Sequence, residues 1–120
     1  MAKTVTAAEM KERERAANEA GLLYIQMMEN AGRAAYAELK RRVPALRRLL
    51  IVAGKGNNGG DGFVMARVAA KEGVQVRVLL AEGEPKTADA KTNLARLAET
   101  AAEVVRDTEQ AAFGADAVVD

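Results

Sequence analysis

The stretch Leu49-Leu50-Ile51-Val52-Ala53-Gly54-Lys55-Gly56-Asn57-Asn58-Gly59-Gly60-Asp61-Gly62 decides the fold. Its first five residues are aliphatic without polar alternation, which predicts a strand buried on both faces, as in a parallel sheet. Residues 54–62 then read as a glycine-rich turn, and Phe63, Val64, Val68 and Ala70 as one side of a helix running to Gly73. Further along, Val74 to Leu80 alternates β-branched residues with Gln75 and Arg77, predicting a second strand. A loop with Pro85, a helix from Thr87 to Ala102, a short strand at Val104-Val105, a helix from Glu109 to Phe113 and a strand starting at Ala117-Val118-Val119 follow. Strands alternating with helices imply right-handed crossovers and a doubly wound α/β sheet.

Upstream of the strand the pattern is helical. Thr6-Ala7-Ala8-Glu9 is a capping box, and the charged helix after it is expected to end near Ala20-Gly21. A second helix is expected from Leu23 to Arg42, with Met28, Ala31, Ala35 and Leu39 as its apolar stripe and Pro44 closing it. The last turn is rich in cations. Residues 1–50 carry ten Lys/Arg against six Asp/Glu, the basic side concentrated in Lys40, Arg41 and Arg42 with Arg47 and Arg48 beyond. No aromatic residue interleaves with them to stack on bases, so they read as charges complementing the helix dipole, and no nucleic-acid partner is expected.

Composition removes whole classes of chemistry. The 120 residues contain no Cys, His, Trp or Ser. That excludes Ser-His-Asp and Cys-His catalysis, imidazole bases, thiolate or imidazole zinc sites and disulfides. Proton transfer must fall to Asp, Glu, Lys or Tyr, and a metal would be a hard cation held by oxygen. With 49% hydrophobic and 29% charged residues the chain is globular. No segment is long and apolar enough to span a bilayer, so no membrane partner and a cytoplasmic location are expected.

The glycine-rich turn carries three readings. Gly54, Gly56 and Gly59 satisfy the bare G-x-G-x-x-G pattern of dinucleotide folds, and Glu82 stands near the position of a ribose-binding acid. A Walker A loop fails, because Gly60 and Asp61 stand where Lys and Ser/Thr are required. Asp61 at a helix N-terminus favours the helix but would repel a pyrophosphate docked there. Two Asn side chains and a carboxylate suit a hard cation, or hydrogen bonding to ribose and carboxamide groups. The plain alternative is a turn with left-handed Asn residues and Asp61 as a cap.

The run G-K-G-N-N-G-G-D-G-F-V-M-A-R from Gly54 resembles the signature of the YjeF N-terminal domain family, the NAD(P)H-hydrate epimerases. Met27-Met28-Glu29-Asn30-Ala31-Gly32-Arg33 resembles the family's helix motif. Thr6-Ala7-Ala8-Glu9-Met10 resembles its start, and Ala115-Asp116-Ala117-Val118-Val119-Asp120 the strand leading to its second site loop. The resemblance runs along residues 1–120, which are expected to be the N-terminal part of one such domain, truncated before the family's further strands and ligands.

The resemblance implies a Rossmann-like three-layer α/β/α sandwich with a mostly parallel sheet, preceded by two helices. It implies interconversion of the R and S epimers of hydrated NADH or NADPH, in nucleotide repair alongside a separate or fused dehydratase. It maps substrate binding onto Asn57, Asn58, Gly59, Gly60 and Asp61, and a potassium ion onto Asn58 and Asp120. A homodimer is expected, the Ala/Gly-rich helix stripe suiting the contact. The catalytic acid or base stays open: Asp61 and Asp120 are the available loop carboxylates, and potassium at Asp120 would make it the poorer acid. A non-catalytic binding or dimerisation module of the same fold is the main alternative, and a generic NAD-dependent dehydrogenase the third.

Overall fold

The computed structural model describes residues 7–120, the side chains of Ala7, Glu9, Met10, Glu14, Ala17, Leu22, Asn57 and Asn58 excepted. The expected capping box at Thr6–Glu9 lies outside those described residues. Four parallel strands, β1 (Arg48–Ala53), β2 (Gln75–Leu80), β3 (Glu103–Val105) and β4 (Ala117–Val119), form one sheet in the order β3-β2-β1-β4. Four helices, α1 (Ala7–Arg42), α2 (Asn57–Lys71), α3 (Ala88–Leu97) and α4 (Thr108–Ala111), accompany it. The chain grows from β1 through β2 to β3 in one direction and then returns to place β4 on the other side of β1. That is the doubly wound α/β arrangement expected from the alternation of strand and helix patterns.

One face of the sheet is the core. Leu49, Ile51 and Ala53 of β1 and Val76, Val78 and Leu80 of β2 are buried. They pack with Phe63, Ala66 and Ala69 of α2 and Leu97 of α3. Phe63, Leu49 and Leu97 are wholly inaccessible and Ile51 nearly so, each contributing about 1.5–3 kcal/mol of apolar burial. Register puts Arg48, Leu50, Arg77 and Val118 on the opposite face. There Arg77 lies 4.6 Å from the Phe113 ring centroid and donates to the carbonyls of Gln110 and Ala112 at 2.8 and 3.2 Å. It thereby fixes α4 and the segment after it across that face. No helix among the described residues is long and apolar enough to cross a membrane.

α1 departs from expectation: one helix of 36 residues stands where two were expected. Gly21 sits inside it in open surroundings without a positive φ. A single exposed glycine costs a helix only about 0.5–1 kcal/mol. Ion pairs of Arg15 with Glu12 and Glu19, at i±3 and i±4, support the helix on the preceding turn. The buried stripe also differs, comprising Met28, Gly32 and Tyr36 with Ala35 and Leu39 beside them, while Ala31 is exposed. Gly32 belongs to the stripe because α1 and α2 nearly touch there. A Cβ on it would overlap Val64 and come 2.9 Å from the Asp61 carbonyl. At the helix end, Glu38 pairs with Arg41 at 2.6 Å and Arg42 at 2.8 Å, consistent with a solvated last turn.

The other helix boundaries shifted by less. α3 stops at Leu97 instead of Ala102, because the Thr100 hydroxyl donates to the Leu97 carbonyl at 2.7 Å and accepts from the Ala102 N–H at 3.2 Å, turning the chain into β3. Thr87 is the N-cap of α3, accepting from Ala90 N at 3.2 Å. Asp107 caps α4, which spans Thr108–Ala111 rather than Glu109–Phe113.

Two glycines of α1 test this packing with opposite signs. Gly21→Ala is expected to raise helix content, read as ellipticity at 222 nm, with no loss of stability. Gly32→Ala is expected to lower the unfolding free energy by about 1–3 kcal/mol in a urea titration, the usual range for overpacking. Equal responses would mean that α1 and α2 do not meet at this distance.

Candidate functional site

The site is built where β1 ends and α2 begins. The expected turn over 54–62 is shorter than anticipated, because α2 starts at Asn57 with Gly56 as its N-cap in extended conformation. Gly59, Gly60 and Gly62 therefore lie within the helix, and none of them has a positive φ. They are small because the backbone of α2 is hemmed in by four neighbours. A Cβ on Gly59 would overlap the Gly54 carbonyl. One on Gly60 would stand 2.5 Å from Met28 Sδ and 3.3 Å from Ala90 Cα, and one on Gly62 would stand 3.1 Å from Ile51 Cγ2. Helix α2 is thus pressed at once onto the β1 turn, α1, α3 and the sheet.

This contact aims the first turn of α2 at the carboxyl ends of β1 and β4. Between those two strands the chain order reverses, which is where ligands enter open α/β sheets. A cavity of about 670 Å³ occupies that position. Its apolar part comprises Ala35, Ile51, Val52, Met65 and Val119. Its polar part is the backbone at Gly54, Gly56 and Gly59 and three carboxylates, Asp61, Glu82 and Asp120. The N-cap, Gly56, carries no side chain to cap the first turn of α2, and no acidic residue lies in that turn. Backbone N–H groups at an uncapped helix start attract anions.

Asp61 stands one turn further in, roughly 6 Å along the axis from Asn57. It does not cover the helix start, so the expected repulsion of a pyrophosphate there is weaker than the sequence implied. Burial pushes its carboxyl group above the ordinary aspartate range. Glu82 follows β2, and its Oε1 accepts from Lys55 N at 3.3 Å, tying the two loops together. Asp120 follows β4, which is held against β1 partly by Asp116. The Asp116 carboxylate accepts from the N–H groups of Arg47 and Arg48 at 2.8 and 2.9 Å, and these bonds lower its pKa.

The structure brings Gly59, Asp61 and Asp120, and the sequence-flagged Glu82, to one cavity and adds Met65 and Ala35 to it. Asn57 and Asn58 lie in the first turn of α2, their side chains outside the described residues. Gly60 faces Met28 and Ala90 and is not among the lining residues. Its neighbour Met28 also accepts a 3.0 Å contact from Asn93 Nδ2. Among the described residues no cluster of three or more His, Cys, Asp or Glu could enclose a metal. The donors present, carboxylate and carbonyl oxygens in an open cavity, fit a hard, weakly held cation and not a closed metal cage.

Comparison with known proteins completes the picture. Residues 24–120 match the family described as YjeF-related protein N-terminus. The chain belongs to that family. It is 47% identical over 95 residues to a bifunctional NAD(P)H-hydrate repair enzyme Nnr of Moorella thermoacetica, covering 75% of this chain and 18% of that protein. It is 57% identical over 60 residues to an NAD(P)H-hydrate epimerase of Pirellula staleyi, covering 50% and 26% respectively. Among solved structures it is similar to the yeast protein ynu0, YNL200c, with a TM-score of 0.62 and 28% identity over 70% of this chain and 38% of that one. The chain thus spans about a quarter or less of the length of these two curated relatives.

The raised pKa of Asp61 has a signed consequence. Its folded-state pKa lies above the unfolded value, so its charged form is penalised on folding, and that penalty disappears as pH falls through the folded pKa towards about 4. Asp61→Asn is therefore expected to shift the urea midpoint modestly upward at pH 7 and to leave it unchanged near pH 3.5. A variant less stable than the parent at pH 7 would contradict the desolvation account.

Proposed function

We propose that this chain is the nucleotide-handling part of an NAD(P)H-hydrate epimerase, with the cavity between β1 and β4 as its substrate site. The observation that carries the reading is the pairing of an uncapped helix start with an apolar floor and three carboxylates at the switch point of a YjeF-related fold. The start of α2, with Asn57, Asn58 and Gly59, takes the anionic and polar parts of hydrated NADH or NADPH. Met65, Ile51 and Val119 line the floor under the modified ring.

Asp61 is the proposed proton carrier. Partly desolvated, it holds a proton closer to neutral pH than an exposed aspartate does. It donates that proton to the ring hydroxyl as the C–O bond breaks and water leaves. Water then re-adds to either face of the ring and returns a proton to Asp61, so the reaction is neutral in electrons and conserves its atoms. A potassium ion, held by Asn58 and Asp120, would supply positive charge that offsets the carboxylates and phosphates nearby.

A fused or separate dehydratase acting on the epimers, in the cytoplasm, is part of the proposal; the description of the Moorella relative as a bifunctional repair enzyme supports a second activity beside this one. A second copy of the chain is proposed to pair along α1, where Leu23, Tyr24 and Met27 are 62–65% exposed on one side. A monomer in sedimentation would remove that element.

The test is NMR exchange spectroscopy on the mixed hydrated NADPH epimers with potassium present. The parent chain is expected to enhance exchange between the epimer resonances. Asp61→Asn is expected to slow it by roughly 10²-fold or more, within the usual range of acid–base catalysis. Line broadening without exchange would leave a binding module, and full activity of Asp61→Asn would remove Asp61 from the chemistry.

A further inference from the structure

A second cavity, of about 650 Å³, lies away from the sheet ends, where α1, α2 and α3 meet. One arginine reaches it from each helix: Arg33 from α1, Arg67 from α2 and Arg96 from α3. Ile25, Gln26 and Glu29 complete the lining. None of these six residues lines the cavity between β1 and β4. Three guanidinium groups face a single carboxylate.

That carboxylate is shared. Glu29 Oε1 accepts from Arg67 Nη2, and its Oε2 accepts from Arg33 Nε at 2.5 Å. The Arg67 side chain is only 10% exposed, yet its Nε has no acceptor. A buried guanidinium N–H left without an acceptor is costly, and native structures normally satisfy it. Arg96 makes no ion pair with any described residue. The cavity thus carries an excess of two positive charges around a partly desolvated arginine, whose planar donor fork matches phosphate oxygens.

We infer that the α1–α2–α3 cavity is an anion site for a phosphate group, with Arg96 and Arg33 as its open donors and Arg67 as its buried anchor. Glu29 orients Arg67 and Arg33 and leaves Arg96 to the ligand. The inference is independent of the epimerase reading, since it uses no residue of that site. The alternative is that Glu29 and Arg67 simply clamp α1 to α2 while Arg96 is a solvated cation at a helix end.

The probe is inorganic phosphate, titrated into the isotope-labelled chain at constant ionic strength and followed through arginine Nε–Hε and backbone amide resonances. Saturable shifts at Arg33, Arg67 and Arg96 are expected. Arg96→Gln, at an exposed position that does not threaten folding, is expected to weaken binding roughly tenfold or more. Arg106→Gln, whose parent side chain pairs with Glu84 on the surface, is expected to leave it unchanged. A linear drift matched by chloride, or unchanged affinity in Arg96→Gln, would overturn the site. A nucleoside monophosphate separates the sources of the phosphate. Tighter binding with added shifts at Ile25 supports a phosphate on an organic body, and equal binding supports the free ion. Epimerase activity does not enter any arm, so failure here leaves that reading untouched.

Discussion

The close approach of α2 to its neighbours is the constraint on which the rest of the structure depends. Over the first two turns of α2 a Cβ would overlap the Gly54 backbone at Gly59, would press on the Met28 side chain at Gly60 and would crowd Ile51 at Gly62. The glycine of α1 that meets α2, Gly32, is under the same restriction. Tight backbone packing of this kind lets a helix start directly behind a strand with a three-residue turn, Gly54-Lys55-Gly56. It places the uncapped N–H groups at the crevice while the same helix fills the core with Phe63. Fold and site therefore share residues, and substitutions at these glycines perturb both together.

The electrostatics follow from the same geometry. An uncapped helix start offers partial positive charge at one end of the cavity, and Asp61, Glu82 and Asp120 bring negative charge from three separate elements. The two signs do not cancel, because Asp61 is set back by one helical turn. A ligand that is anionic at one end and polar at the other can use both. The partial burial of Asp61 raises its proton affinity, a property suited to proton transfer.

Much of this was legible in the sequence, for identifiable reasons. The unbroken aliphatic run at Leu49–Ala53 and the alternation after Val74 marked buried parallel strands, and β1 and β2 lie where those patterns put them. Motif spacing located the segment from Gly54 to Asp61. What it did not convey was why the glycines are there: a turn and a tight helix contact require the same residue, and only the neighbours in space distinguish them. Gly21 misled for the converse reason, since a glycine that could end a helix is tolerated inside one when local ion pairs support it. The buried Arg67–Glu29 pair was likewise invisible, because it joins residues 38 positions apart on different helices.

The central claim is that the crevice over the first turn of α2, at the reversal between β1 and β4, receives a nicotinamide nucleotide. The most direct test is amide chemical-shift mapping of the labelled chain during titration with hydrated NADPH in the presence of potassium. The account predicts saturable shifts concentrated at Gly54–Gly62, Glu82, Val119 and Asp120. Shifts confined to the Arg77–Phe113 face of the sheet, with residues 54–62 unmoved, would contradict it.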